Sequence, residues 1–154
     1  MQLADFLDCD AIKTSLPGGN KRSLLQQLAN LAAQRLGIEA ATVSAALNER
    51  EQLGSTGFGQ GVAIPHAKID GLAQIYGLFA RLGEPVDFKA IDGRPVDLVF
   101  LLLSPPNAGA EHLKALAAIS RVTRDGATLE RLRGARSRDA LAAVLMGADE
   151  REAT

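Results

Sequence analysis

The sequence predicts an α/β fold: a single domain built on a mixed β-sheet, flanked by helices on both faces. Three observations carry that expectation. The run from Val96 to Leu103 is almost continuously apolar, the pattern of a central strand covered from both sides. Amphipathic helical segments lie before and after the strand signals, so each face of the sheet has helices available to cover it. A length of 154 residues, 47% of them hydrophobic and 23% charged, suits one domain with a core of ordinary size.

Taken in order, Pro17-Gly18-Gly19 reads as a turn, after which Asn20 can cap a helix. Leu24, Leu25, Leu28, Leu31, Ala32 and Leu36 form one stripe of that helix, and Gly37 ends it. A second helix is expected from Ala41 to about Gln52, with Val43, Ala46, Leu47 and Arg50 near one face. Strand signals follow at Val62 to Ile64, Ile75 to Leu82 and Val96 to Leu103, with turns at Glu84-Pro85 and Asp92-Gly93-Arg94-Pro95. Beyond Pro105-Pro106 the pattern is helical: Ala110 to Arg124, Thr128 to Gly134, and Ser137 to Met146. Ser137 suits the cap of the last helix, where Asp139 meets the favourable end of the helix dipole. The domain is expected to cover residues 1–147, with 148–154 as a polar, frayed tail.

Composition excludes several classes of function. A net charge of −1 and a pI of about 6.1 leave no polybasic field for nucleic acid or anionic lipid. The single cysteine, Cys9, rules out an internal disulfide and suits a reducing compartment. No basic start followed by an apolar run marks a signal peptide. The longest apolar run, Leu98 to Leu103, is far shorter than the roughly 20 residues of a membrane helix. A cytoplasmic protein without membrane insertion is the expectation.

Chemistry concentrates in Gly54-Ser55-Thr56-Gly57-Phe58-Gly59-Gln60-Gly61-Val62-Ala63-Ile64-Pro65-His66-Ala67. A glycine-rich loop runs into a short apolar strand, and Pro65 fixes the backbone just before an imidazole. That pattern holds His66 at a strand end, facing a surface that another molecule can approach, and points to a phosphoryl acceptor. The other histidine, His112, falls in the first turn of its helix and heads the stripe of Leu116 and Ile119. Alone, a histidine on an apolar stripe reads as a packed core residue. Paired with His66, it reads as a donor to a second imidazole or to a phosphoryl oxygen, its pKa lowered by the helix N-terminus.

Phosphoryl transfer to nitrogen needs a neutral imidazole with a fixed tautomer, and donors for the equatorial oxygens. His66 would be the nucleophile, His112 a donor, and Arg50 would supply a guanidinium from the second helix. Ser55 or Thr56 would add a hydroxyl. Phe58 is either a core residue or part of an exposed apolar rim for a docking protein. A P-loop is excluded, because Gln60-Gly61 stand where Lys and Ser or Thr are required. Two histidines and one distant cysteine make no zinc set, and no G-x-S-x-G elbow is present.

The run from Gly54 to Ala67 resembles the active-site signature of the enzyme IIA components of the phosphoenolpyruvate-dependent phosphotransferase system, fructose/mannitol superfamily. The likeness continues through Phe88-Lys89-Ala90-Ile91-Asp92-Gly93-Arg94-Pro95-Val96-Asp97-Leu98-Val99-Phe100 and through Glu111-His112-Leu113, and so covers nearly the whole chain. It implies that His66 accepts a phosphoryl group from an HPr-like phosphocarrier protein, and that His112 and Arg50 complete the site. It also implies that no metal, nucleotide or other cofactor is needed, the donor being itself a phosphohistidine. With no IIB or IIC segment and with a short leader, Leu3 to Leu7, the chain is most similar to the nitrogen-regulatory branch, whose partners are regulatory target proteins. A stand-alone fructose/mannitol-type IIA, passing the group to a IIB sugar-transport component, would share every one of these residues.

Overall fold

Alternation along one strand organises the whole molecule. A computed structural model describes the backbone of residues 1–153 and the side chains of residues 1–149. Among the described residues the order is β1 (Lys13–Leu16), α1 (Lys21–Leu36), α2 (Ala40–Gln52), β2 (Gly57–Gly59), β3 (Val62–Ala63), β4 (His66–Lys68), β5 (Tyr76–Val86), β6 (Val96–Ser104), α3 (Gly109–Thr123), α4 (Gly126–Gly134) and α5 (Arg138–Ala153). Short 3-10 turns at Leu3–Asp5 and Cys9–Ala11 precede β1.

The strands form one mixed sheet in the order β1-β5-β6-β3-β2, with β4 also paired to β6. The β5–β6 and β2–β3 pairs are antiparallel; β1–β5, β3–β6 and β4–β6 are parallel. Successive side chains of β6 go to opposite faces. Val99, Leu101 and Leu103 pack with α1 and α2 on one side. Leu98, Phe100 and Leu102 pack with α3, α4 and α5 on the other, where the Phe100 and Phe79 rings meet at 4.9 Å. Each fully buried side chain of this kind stabilises the fold by about 1.5–3 kcal/mol. The mixed sheet with helices on both faces is therefore as the sequence predicts.

Helix limits follow the capping residues. The Asn20 side chain accepts from the Ser23 amide at 2.8 Å, and Gly37 ends α1 at φ 69°. Ser137 accepts from the Ala140 amide at 3.0 Å at the start of α5. The turn between β2 and β3 is pinned from outside: Arg133 pairs with Asp97 at 2.8 Å and donates to the Gln60 carbonyl at 2.6 Å. Gly61 sits there at φ +79°, and a Cβ on it would lie 2.5 Å from the Arg133 guanidinium and 2.8 Å from the Asp97 carboxylate, so a side chain would strain the backbone and push that pair aside.

Two expectations are corrected. Glu84-Pro85 is not a turn but part of β5, in the stretch between Arg81 and Val86 where pairing with β6 shifts register. A strand tolerates proline at such an irregularity, because no ladder bond is lost. The polar tail expected from residue 148 is the continuation of α5, with Ala148 and Asp149 buried. Asp149 accepts from the amides of Leu3 at 2.9 Å and Ala4 at 3.4 Å, so the end of α5 caps the start of the chain. Thr154 lies outside the described residues. No helix among the described residues is long and apolar enough to cross a membrane.

Candidate active site

β3 leaves β6 after Ala63, Ile64 and Pro65 bridge the gap, and β4 rejoins β6 with His66 opposite Leu102. The Pro65 carbonyl still accepts from the Leu102 amide at 2.9 Å, so the imidazole is mounted on a fixed backbone. His66 Nδ1 lies 2.7 Å from the Ile64 carbonyl oxygen. A carbonyl only accepts, so Nδ1 carries the proton and Nε2 carries the lone pair. Arg50, in the last turn of α2, donates Nε–H to that Nε2 at 3.3 Å and Nη1–H to the Gly54 carbonyl at 3.0 Å.

His112 enters from the other side of the sheet edge, in the first turn of α3. Its ring centroid is 5.5 Å from that of His66, tilted by 53°. Its Nδ1 lies 2.6 Å from the hydroxyl of Ser104, the last residue of β6. Both rings open on a cleft of about 460 Å³ that also takes in Arg50, Lys68 and Leu53. The structure thus brings together His66, His112 and Arg50 from a strand, a helix start and a helix end.

The electrostatics keep both imidazoles neutral. Burial leads in lowering the His66 pKa, and the Arg50 charge adds to it, against the Ile64 carbonyl and Glu51. Burial leads in taking His112 down to about 4, and the cost of charging it beside His66 and Lys68 adds to that. The lowering expected at His112 is present, with burial as its leading cause. A neutral, tautomer-fixed imidazole beside a guanidinium has the chemistry to act as a nucleophile, with a cation in place to offset negative charge.

The family profile described as the phosphoenolpyruvate-dependent sugar phosphotransferase system, EIIA 2, matches residues 5–147. The chain belongs to that family. This EIIA domain is 48% identical over 145 residues to a nitrogen regulatory protein of Bradyrhizobium diazoefficiens, covering 94% of this chain and 95% of the relative. It superposes on the crystal structure of the nitrogen regulatory protein IIA-Ntr from Neisseria meningitidis with a TM-score of 0.87 and 38% identity, over 93% of this chain and 98% of that one. The mannitol IIA in a complex with phosphorylated IIB from Escherichia coli shares the fold alone, with a TM-score of 0.77 at 19% identity over 92% of this chain and 99% of that one. The likeness to the nitrogen-regulatory branch, read first from the sequence, is thereby found in both sequence and structure. The EIIA domain is a component of a phosphotransferase system, a phosphocarrier.

Ser55 and Thr56 are not brought to the EIIA cleft. Ser55 Oγ donates to the Phe88 carbonyl at 2.8 Å and accepts from the Gly57 amide at 3.0 Å. Thr56 is fully buried; its hydroxyl donates to Glu51, and its amide donates to the same carboxylate at 3.2 Å. Both hydroxyls are committed to holding the glycine-rich loop, which places Ile64 through the Thr56 carbonyl at 2.9 Å. Phe58 is 52% exposed, which settles it as a surface residue instead of a core one.

Sequence reasoning missed Glu51, Lys21, Ser104 and Lys68. Glu51 is a nearly buried carboxylate paired with Lys21 at 2.8 Å, and so ties α1, α2 and the loop together. A carboxylate beside Arg50 and just ahead of the loop was its only signal. The only signal for Ser104 is its position, as the polar residue directly after the apolar run Val96 to Leu103. Cys9 is half-buried with its thiol pKa raised, first by burial. No group of three or more metal-binding side chains occurs among the described residues.

Proposed function

We propose that this EIIA domain is a phosphohistidine carrier of the nitrogen-regulatory type. His66 takes a phosphoryl group on Nε2 from an HPr-like protein, and its phosphorylation state controls binding to regulatory target proteins. One observation carries the reading: Nδ1–H of His66 is held by the Ile64 carbonyl, which leaves the Nε2 lone pair facing Arg50 and the cleft.

The step balances without a cofactor. The donor's N–P bond breaks, and its imidazole leaves with the electron pair. His66 Nε2 supplies the pair for the new N–P bond, and neither imidazole gains or loses a proton. The Arg50 guanidinium then turns from Nε2 to the phosphoryl oxygens, where its charge counts most. His112 sits close enough to serve as a second donor. Leu53, 83% exposed in the lining of the cleft, and Leu113, 66% exposed and next to His112 in α3, would offer apolar surface to a docking carrier.

Regulation follows from charge. A phosphoryl group adds roughly −1.5 to −2 charge near neutral pH, which changes the fit of any partner surface laid over the cleft. The name of the nitrogen regulatory relative supports this branch over sugar transport.

The test is reconstitution with phosphoenolpyruvate, enzyme I and an HPr-like carrier, followed by intact mass of wild type and His66→Ala. One acid-labile phosphoryl adduct on wild type alone supports the carrier. Sugar-dependent loss of that adduct to a IIB-containing membrane would replace the regulatory reading with a transport one. An adduct that survives in His66→Ala would reject the acceptor.

A further inference from the structure

We infer that Ser104 is a positioning residue that sets the tautomer of His112 and so makes it a hydrogen-bond donor to the transferred phosphoryl group. The inference rests on the proposed acceptor role of His66 and deepens it.

Ser104 is fully buried, at the end of the central strand β6. Its backbone is occupied by the sheet: Ser104 pairs with Lys68 of β4, and its carbonyl accepts from the Ile69 amide at 2.8 Å. Its hydroxyl has one recorded partner, His112 Nδ1, at 2.6 Å. That distance is short for a hydrogen bond between a hydroxyl and a nitrogen.

Only one direction satisfies both groups. If His112 Nδ1 carried the proton and donated, the serine's own hydroxyl proton would have no recorded acceptor in a buried site, at a cost of about 1–3 kcal/mol. If Ser104 donates, Nδ1 accepts with its lone pair and the imidazole proton must sit on Nε2. The serine therefore forces the Nε2–H tautomer on a ring that stays neutral at physiological pH.

The consequence falls on the cleft. The two imidazoles face each other with centroids 5.5 Å apart. His66 is fixed by the Ile64 carbonyl with its lone pair on Nε2. His112 is fixed by Ser104 in the complementary state, with an N–H to offer. A donor beside the acceptor atom stabilises phosphoryl oxygens, whereas the other tautomer would turn a lone pair toward an anion. An alanine at position 104 would keep the backbone pairing of the strand and leave that choice unmade.

The experiment uses the full chain with 15N-labelled histidine. Nitrogen chemical shifts of unmodified protein report which ring nitrogen carries the proton. Wild type is expected to show His112 as Nε2–H. In Ser104→Ala the Nδ1–H form is expected to appear, and the rate of phosphorylation by the carrier to fall about tenfold. Ser104→Thr, which restores the hydroxyl, is expected to restore the Nε2–H form. In a His112→Ala background, Ser104→Ala is expected to cost nothing further, because its effect passes through the ring.

A wild-type His112 in the Nδ1–H form would overturn the inference. So would an unchanged tautomer in Ser104→Ala, or an equal loss of rate with and without the His112 ring. The spectra need no phosphoryl transfer, so a chain that never accepts phosphate would refute the carrier reading while the tautomer result stood by itself.

Discussion

Arg50 Nε donates to His66 Nε2 across 3.3 Å, so the lone pair that would attack phosphorus is held in the resting protein by the group that would later neutralise the product. The same guanidinium is anchored to the Gly54 carbonyl at 3.0 Å, which ties the charge to the mouth of the glycine-rich loop. One side chain thereby holds both the His66 imidazole and the loop.

Replacing Arg50 should slow phosphorylation without unfolding the chain. Arg50→Ala removes charge-assisted hydrogen bonds of about 1.5–3 kcal/mol each, so a rate loss of about 10- to 100-fold is expected. Arg50→Lys should recover little, because an ammonium cannot span Nε2 and the Gly54 carbonyl together. Single-turnover kinetics with a phosphorylated carrier measure this; rates within twofold of wild type would argue against the role.

Stability should fall in mild acid through the histidines. His112 drops from an ordinary pKa of 6.5 to about 4 in the folded state, and His66 is also lowered. Between those limits the unfolded chain binds protons that the folded chain does not, so stability is lost as pH falls from 6.5 toward 4. Well above 6.5 both states are unprotonated and the pair contributes no slope. Asp8, Asp87 and Asp92, lowered from 3.8, act only at more acidic pH. Urea midpoints recorded across the window should decline in wild type and decline less in His112→Gln. Equal slopes for the two proteins would count against the assignment.

Glu51 should matter more than its neighbours suggest. Its carboxylate receives Lys21, the Thr56 amide and the Thr56 hydroxyl, and its side chain is only 6% exposed. Glu51→Ala leaves a threonine and a partly buried ammonium without their partner, which should cost about 3 kcal/mol. The loop that presents Ile64 and His66 would loosen with it. Denaturant unfolding gives the stability term, and a change below about 1 kcal/mol would show that the network is dispensable.

The apolar rim should act on encounter and not on chemistry. Leu53→Asp places a charge in the lining of the cleft, and Leu113→Asp places one on the exposed residue that follows His112 in α3. The concentration of carrier needed for half-maximal phosphorylation should rise about fivefold or more, with the limiting rate unchanged. A fall in the limiting rate alone would move these residues from docking to the reaction itself.

Much of this was legible in the sequence because it is local. The stripe of α1, its asparagine cap and glycine stop, and the apolar run of β6 depend on neighbours within one or two turns. Proline before His66 and the glycine-rich run before it identified the mounted imidazole for the same reason. What escaped depends on partners far along the chain or on very short pairings. β4 has three residues and exists only because β6 receives it. The buried end of α5 is explained by Asp149 reaching amides at Leu3 and Ala4, a contact no local pattern announces. Ser55 and Thr56 looked like phosphate donors because loop hydroxyls usually face solvent; Phe88 and Glu51 turn these two inward. The same blindness hid Ser104, whose importance depends on a ring that α3 brings to it.

The most direct test of the central claim is nitrogen and phosphorus NMR of the phosphorylated chain, prepared through the carrier with 15N-labelled histidine. Phosphorus coupled to Nε2 of His66, with Nδ1 of the same ring still protonated, is the result this geometry predicts. Phosphorus on Nδ1 of His66, or on His112, would contradict it.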